Sequence, residues 1–280
     1  MKQYLKICVL LFMCLFFVSL TAWAQEPVEA TSQNATAEYT NKPPIIDGEI
    51  DKVWETTPFY YAMHRENTSE VGEKSKVNPI EGSYAKILWD EKHYYLLGVV
   101  YDTTLSEAGF TDWNSVDFWI SEKNTQVYGW DEDEGDYCYC ITDDGTQVVQ
   151  QHKDGSKVYG KEFDGSKQSV VNYGDHYVVE IKIPWQSDVV VESGDEIGFT
   201  VSFNDDMDGD GERDAYTYWA SERNGKYWSN TNALVSVELV RQTVHVNPFV
   251  IVGAIAGVLV ACGVVCVICV NVRKKKRCML

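Results

Sequence analysis

The segment YVVEIKI (177–183) alternates apolar and polar residues with a period of two. That alternation belongs to a strand with one face in a core, and it constrains this chain more than any other feature. It recurs in IGFTVSF (197–203) and LVSVELV (234–240). The segment YYLLGVVY (94–101) is apolar on both faces, which predicts a central strand covered on both sides. AKILW (85–89) precedes it across DEKH, a gap of hairpin length. DDGT, KDGS, FDGS and YGDH supply turn chemistry between further runs. Between the chain ends no strong helical period competes. The pattern predicts an all-β fold, a two-sheet antiparallel β-sandwich of jelly-roll type, over residues 41–241.

The two ends read differently. Residues 1–24 have Lys2 and Lys6, an apolar core and the small-x-small run Ala22-Trp23-Ala24, the pattern of a secretory signal peptide. Residues 25–40 form a polar leader, and 242–248 a short tether. Residues 249–270 are 22 uncharged residues, mostly Val, Ile, Ala and Gly. At about 1.5 Å per residue that run crosses ~30 Å of hydrocarbon as one transmembrane helix. Residues 271–280 carry Arg273-Lys274-Lys275-Lys276-Arg277, a basic block that stays on the cytoplasmic side. The expected protein is therefore single-pass in the cell membrane, with its large domain extracellular and its tail cytoplasmic. Gly253 and Gly257 form a GxxxG pair, a face for weak helix-mediated dimerisation.

Charge narrows the partners. Two of the 24 basic residues lie in 1–24 and five in 271–280, so 17 face 42 acidic residues in 25–247, a formal charge of −25. Nucleic-acid binding needs a basic footprint, so that class is excluded. Of the eight cysteines, Cys138 and Cys140 are the two in the predicted domain. Two apart on a strand they share a face, and a bridge between them would be strained, so free thiols are expected.

The stretch FNDDMDGDGERDAYTYW (203–219) places Asp206, Asp208, Asp210 and Asp214 around a Gly-containing turn. An EF-hand loop lies between helices and carries Glu at its twelfth position. Counted from Asp206 that position is Thr217, and both flanks read as strands. These four carboxylates are instead expected to hold a structural Ca²⁺ that relieves their mutual repulsion.

Three segments in series resemble the family 9 carbohydrate-binding modules, members of the wider DOMON-like sandwich group. They are IIDGEIDKVWETTP (45–58); AKILWDEKHYYLLGVVYD (85–102) with NSVDFWISEKN (114–124); and YVVEIKIPW, GDEIGFTVSFNDDMDGDGERD and YWAS within 177–221. The resemblance implies a β-sandwich with structural calcium that binds glycan or polysaccharide between two tryptophans, without catalysis of its own. On the strand NSVDFW, Val116, Phe118 and Ile120 are expected to point one way and Asp117 and Trp119 the other. By resemblance, Asp117 falls at the sugar-binding carboxylate. Trp113 and Trp228 stand near the two aromatic platforms, and Asn224 near the family's Asn. Two positions depart from the pattern: Cys138 replaces the family's sugar-contacting Arg, and Ser202 its Gln. Trp54, Trp89, Trp185 and Trp219 read as core. Other readings compete. Met63, His64, His93, His152 and His176 offer axial ligands for a haem-binding electron-transfer domain. The same sandwich with no sugar site would be a structural or adhesive surface protein. No Ser/His/Asp, zinc or phosphate-loop motif marks an enzyme.

Overall fold

The structure is a computed structural model. It describes residues 29–62, 64–67, 80, 82–102, 114–127, 129–130, 135–143, 145, 147–153, 156–160, 163–207, 213–220 and 226–241, with backbone alone at 64–67, 147–153, 156–160 and 226. These residues fall within one compact unit, Gln25–Gln242. Their strands are β1 (Thr36–Tyr39), β2 (Tyr60–Tyr61), β3 (His64–Asn67), β4 (Tyr84–Trp89), β5 (His93–Val100), β6 (Ser115–Ser121) and β7 (Asp136–Thr142). There follow β8 (Gln147–Lys153), β9 (Ser156–Gly160), β10 (Lys167–Asn172), β11 (Tyr177–Pro184), β12 (Glu196–Asp205), β13 (Ala215–Tyr218) and β14 (Val235–Val240). Among the described residues helix is confined to three short 3-10 turns, at Lys52–Trp54, Lys226–Trp228 and Thr231–Ala233. No helix among the described residues is long and apolar enough to cross a membrane; the expected span at 249–270 lies outside them.

The strands form one curled sheet in the order β10-β11-β5-β4-β1-β14-β12-β6-β7-β8-β9, with β13 against β12 and β3. Strand β1 is parallel to both β4 and β14, and the other strand pairings among the described residues are antiparallel. So the stretch read as a polar leader contributes the strand that joins two wings, β10-β11-β5-β4 and β14-β12-β6-β7-β8-β9. Ala30, Ala35 and Ala37 carry it into the core.

The wings pack face to face, as in a β-sandwich. Leu96, Val100, Val179, Ile181 and Ile183 of the first wing share one apolar cluster with Val116, Phe118, Ile120, Val201 and Phe203 of the second. Strand parity selects these residues, and burying them is the main stabilising term. Gly98 lets β5 approach β6: a Cβ there would lie 3.3 Å from Val116 and 3.4 Å from Phe118. The expectation that 94–101 is covered on both faces is met over 94–100, while Tyr101 is exposed. Tyr95, Leu97 and Val99 pack outward in a second cluster under Ile46 and Trp54.

That outer cover corrects the alternation at 177–183. Glu180 sits where a half-exposed strand would show a polar side chain to water, yet it is fully buried. The segment holding Lys52–Trp54 lies over it. Its Oε2 accepts the amides of Asp47 (3.1 Å) and Gly48 (2.9 Å), and Oε1 accepts the Trp54 indole N–H (3.1 Å). Burial raises the Glu180 carboxyl above its ordinary range, and these three donors oppose the rise. Gly48 has φ +86, and a Cβ there would lie 2.3 Å from Val171 Cγ2, so only glycine fits. Lys86 on the same face donates to the Trp54 carbonyl (2.6 Å) under the Phe59 ring, 3.6 Å away. Burial lowers its ammonium to about 8.

Candidate functional site

The outer face of the second wing carries the polar residues singled out in the sequence. Parity on β6 sends Val116, Phe118 and Ile120 into the core, while Trp119 joins an outer aromatic cluster. Pairing then lines up rows across four strands. Asp117 is opposite Ser202 on β12 and Cys140 on β7, and Ser202 is opposite Tyr218 on β13. One step along, Ser115 is opposite Asn204, and Asn204 opposite Tyr216.

These rows form a hydrogen-bond network. Asn204 Nδ2 donates to Asp117 Oδ2 (2.8 Å) and Ser115 Oγ (2.7 Å), and Ser115 Oγ donates to Asp117 Oδ1 (3.0 Å). Arg213 Nη1 donates to Asn204 Oδ1 (2.9 Å). Asp117 is 8% exposed. Burial raises its carboxyl above the ordinary value; hydrogen bonds from Cys140, Asn204 and Ser115 and the Arg213 charge oppose that rise. A buried carboxylate is tolerated when so supplied with donors.

Aromatic rings surround this polar strip. Trp119, Trp130, Tyr218 and Tyr227 pack with Cys138, Ala233 and Leu234. Trp119 Nε1 donates to Ser202 Oγ (3.0 Å), and the Ser202 and Tyr227 side chains are hydrogen-bonded. The Trp228 ring meets Tyr227 at 5.3 Å and Tyr216 at 6.0 Å, both edge-on, and is 36% exposed. The Arg213 guanidinium lies 5.3 Å from the Tyr216 ring centroid. The face therefore offers a partly exposed indole and a guanidinium within one aromatic contact of each other, through Tyr216.

Among the sequence candidates, Asp117, Ser202 and Trp228 are brought onto this one face. Trp113 and Asn224 lie outside the described residues. Two of the positions singled out are enclosed. Ser202 is buried beneath Trp119 and Tyr227 rather than open to a ligand, because Trp119 Nε1 and the Tyr227 hydroxyl meet at its side chain. Cys138, at the resembled Arg position, is a buried packing residue opposite Trp119. Cys138 and Cys140 are not joined by a disulfide. Asn204, Tyr216 and Tyr227 were missed, although parity from Ser202 and adjacency to Trp228 would have found them. Arg213 had no local signal: the return of the β12–β13 hairpin delivers it.

The proposed calcium ligands divide. Asp206 and Asp214 are buried at the base of the β12–β13 hairpin, whereas Asp208 and Asp210 lie outside the described residues. The Asp206 amide donates to Asn114 Oδ1 (2.7 Å), the Asp214 amide to the Asp205 carbonyl (2.9 Å), and the Met207 amide to Asp214 Oδ2 (2.9 Å). Carboxylate oxygens suit a hard cation, but Ca²⁺ takes about six to eight oxygens, more than two side chains give. Among the described residues no three His, Cys, Asp or Glu side chains converge on one metal position. Of the histidines named as haem ligands, His93 Nδ1 lies 3.4 Å from Asp90 and His176 Nδ1 lies 2.7 Å from Asp175. Met63 and the side chains of His64 and His152 lie outside the described residues.

Comparison with known proteins places this geometry in a family. Exoglucanase XynX of Acetivibrio thermocellus is 28% identical over 203 residues, covering 72% of this chain. Endo-1,4-beta-xylanase A of Thermoanaerobacterium saccharolyticum is 26% identical over 206 residues, also 72% of this chain. The match spans 16% of the length of each of these enzymes. Among solved structures, a carbohydrate binding module family 9 from Caldicellulosiruptor kristjanssonii in complex with cellotriose superposes with a TM-score of 0.58 at 20% identity, over 76% of this chain and 96% of that one. A second structure of the Caldicellulosiruptor kristjanssonii module, in complex with glucose, gives 0.58 at 20% identity over 76% of this chain and 100% of that one. At that identity the superposition speaks for the fold. Residues 46–242 match the family described as carbohydrate family 9 binding domain-like, so the chain belongs to that family.

Proposed function

We propose that this protein binds carbohydrate, without catalysing a reaction itself, through the outer face of β12, β6 and β13. The observation that carries the reading is Trp228, a partly exposed indole on the face that holds the Asp117, Asn204 and Arg213 network. An indole gives a flat apolar surface for the C–H side of a pyranose. A guanidinium gives charge-assisted donors to its hydroxyls. In this reading Arg213 supplies the donor whose usual place Cys138 occupies. Asp117, already hydrogen-bonded and nearly sealed, holds Asn204 and through it aims Arg213. The relatives named above are glycan-active enzymes, and the two superposed modules are complexed with cellotriose and glucose. Those sugars are therefore the first probes.

The test is calorimetric titration of the full-length chain with glucose, cellotriose and xylotriose. Binding to one of them that is lost in Trp228→Ala, with an unchanged far-ultraviolet spectrum, is the expected result. No heat with any of them leaves a surface protein with a sealed face. Ser202, occupied by Trp119 and Tyr227, is the observation that favours that second reading.

Two further parts of the proposal rest on sequence. Asp206, Asp208, Asp210 and Asp214 hold Ca²⁺ that stiffens the β12–β13 hairpin. Added calcium should then raise the melting temperature by several degrees, and chelator should reverse it; an unchanged melting curve removes the ion. Residues 249–270 anchor the chain in the cell membrane with the binding domain outside. The prediction is resistance to alkaline extraction, together with protease access to the domain on intact cells.

A further inference from the structure

Three large aromatic side chains among the described residues are more than a third exposed. Trp228 belongs to the face above; the other two, Tyr101 (42%) and Tyr173 (47%), both lie against His176. The Tyr173 ring is parallel to the His176 ring at 4.9 Å and 10°, and Tyr101 is 5.6 Å from it at 41°. The row is built on firm backbone. Tyr173 and His176 close the β10–β11 hairpin through an amide-to-carbonyl bond of 2.8 Å, with Gly174 at φ +95 between them. The Tyr173 hydroxyl donates to the Gly48 carbonyl (2.9 Å), and the Tyr101 amide donates to Ser83 Oγ (2.9 Å). Beside the rings, Asp175 accepts from or pairs with His176 Nδ1 at 2.7 Å while its side chain remains 81% exposed.

We propose that Tyr101 and Tyr173, braced by the His176 ring that both contact, form a second carbohydrate-stacking surface, separate from Trp228, for a further pyranose stretch of the same class of glycan. Held rings lose little entropy on binding; Tyr173 covers a face of His176, so the C–H side of a sugar meets the exposed ring surfaces of Tyr101 and Tyr173. The exposed Asp175 carboxylate accepts hydroxyl donors at the edge of the row. A lipid surface is the other ligand for exposed tyrosines. The flanking acid, Asp175, argues against an anionic bilayer. The proposal rests on the glycan reading, but on different residues.

The experiment follows two reporters in one full-length sample, the His176 ring carbon-bound protons and the Trp228 indole N–H, by nuclear magnetic resonance during titration with cellohexaose and with xylohexaose. Both should shift with one of these sugars. The His176 shift should persist in Trp228→Ala and disappear in Tyr101→Ala/Tyr173→Ala, while Tyr101→Phe/Tyr173→Phe, which keeps the rings, retains it. Affinity for the six-sugar chain should fall about threefold to tenfold in the double alanine variant, with glucose affinity unchanged. Movement of Trp228 alone overturns the second surface and leaves the first. Silence of both reporters overturns both. A His176 shift with phosphatidylcholine vesicles but not with either sugar assigns the rings to lipid and also overturns the proposal.

Discussion

Glu180 and Asp117 are both buried carboxylates on outward-facing strand positions, one on each wing, and they have been put to different use. Glu180 lies beneath the chain's own segment 45–54, and two backbone amides and an indole donate to it. Asp117 is held by short side chains, Ser115, Asn204 and Cys140, with an arginine one bond further out. A carboxylate that closes on backbone fixes where a segment lies. A carboxylate that closes on side chains fixes how other functional groups point. The first arrangement makes a wall, and the second ties together the side chains of the candidate face.

The comparison can be broken most severely on the Glu180 side. Gly48→Ala forces a side chain into φ +86 and against Val171. The cost should be about 2–4 kcal/mol by urea denaturation, from strain plus overpacking. Glu180→Ala should cost about 3 kcal/mol or more, since three donors lose their acceptor. Neither change should alter glucose affinity of the folded protein by more than about twofold, since neither touches the candidate face around Trp228. An equal loss of affinity would show that the two wings are not independent.

Trp228→Ala should do the reverse. Affinity should fall about tenfold or more, which is about 1.4 kcal/mol, while stability stays within about 1 kcal/mol, because the ring is partly exposed.

Asp117→Asn sharpens the contrast through pH. Burial keeps Asp117 protonated to a higher pH in the folded chain than in the unfolded chain, where the ordinary value is near 3.8. Between those values the folded state binds more protons, so this group lowers stability as pH rises through the window. Asp117→Asn should flatten that part of the melting-temperature profile above pH 4, and should weaken sugar binding by loosening Asn204 and Arg213. Glu180→Gln removes a slope of the same sign. It also loses stability at every pH, because a carboxamide cannot accept all three N–H groups.

The smallest effect is at Lys86. Its ammonium is lowered from 10.5 to about 8, so the folded chain gives up that proton earlier than the unfolded chain. Its share of stability should increase as pH rises from about 8 toward 10.5. Direct titration of the Lys86 Nζ resonance checks this; a midpoint at the ordinary lysine value would show that the Trp54 carbonyl and the Phe59 ring leave it solvated.

Much of this architecture was legible along the chain. Strands at 85–89, 94–101, 177–183, 197–203 and 234–240 were readable because side-chain direction repeats every two residues, a property of the local backbone. The same parity correctly separated Phe118 from Asp117 and Trp119. It failed at Glu180, because the rule gives a residue's face and not what covers that face. It also failed for the stretch before residue 41, where polar composition concealed β1, whose backbone is used by strands from both wings.

What the sequence by itself determined was therefore the most strongly patterned strands, the alternation of side-chain direction along them and the family, through residues close together in the chain. What only the tertiary structure decided was what encloses each outward position: backbone amides and an indole at Glu180, side chains at Asp117. Trp54 reaches Glu180 across 126 residues, and Trp119 reaches Ser202 across 83. Contacts at such separations depend on how the whole sheet curls, and no short window of sequence contains that information.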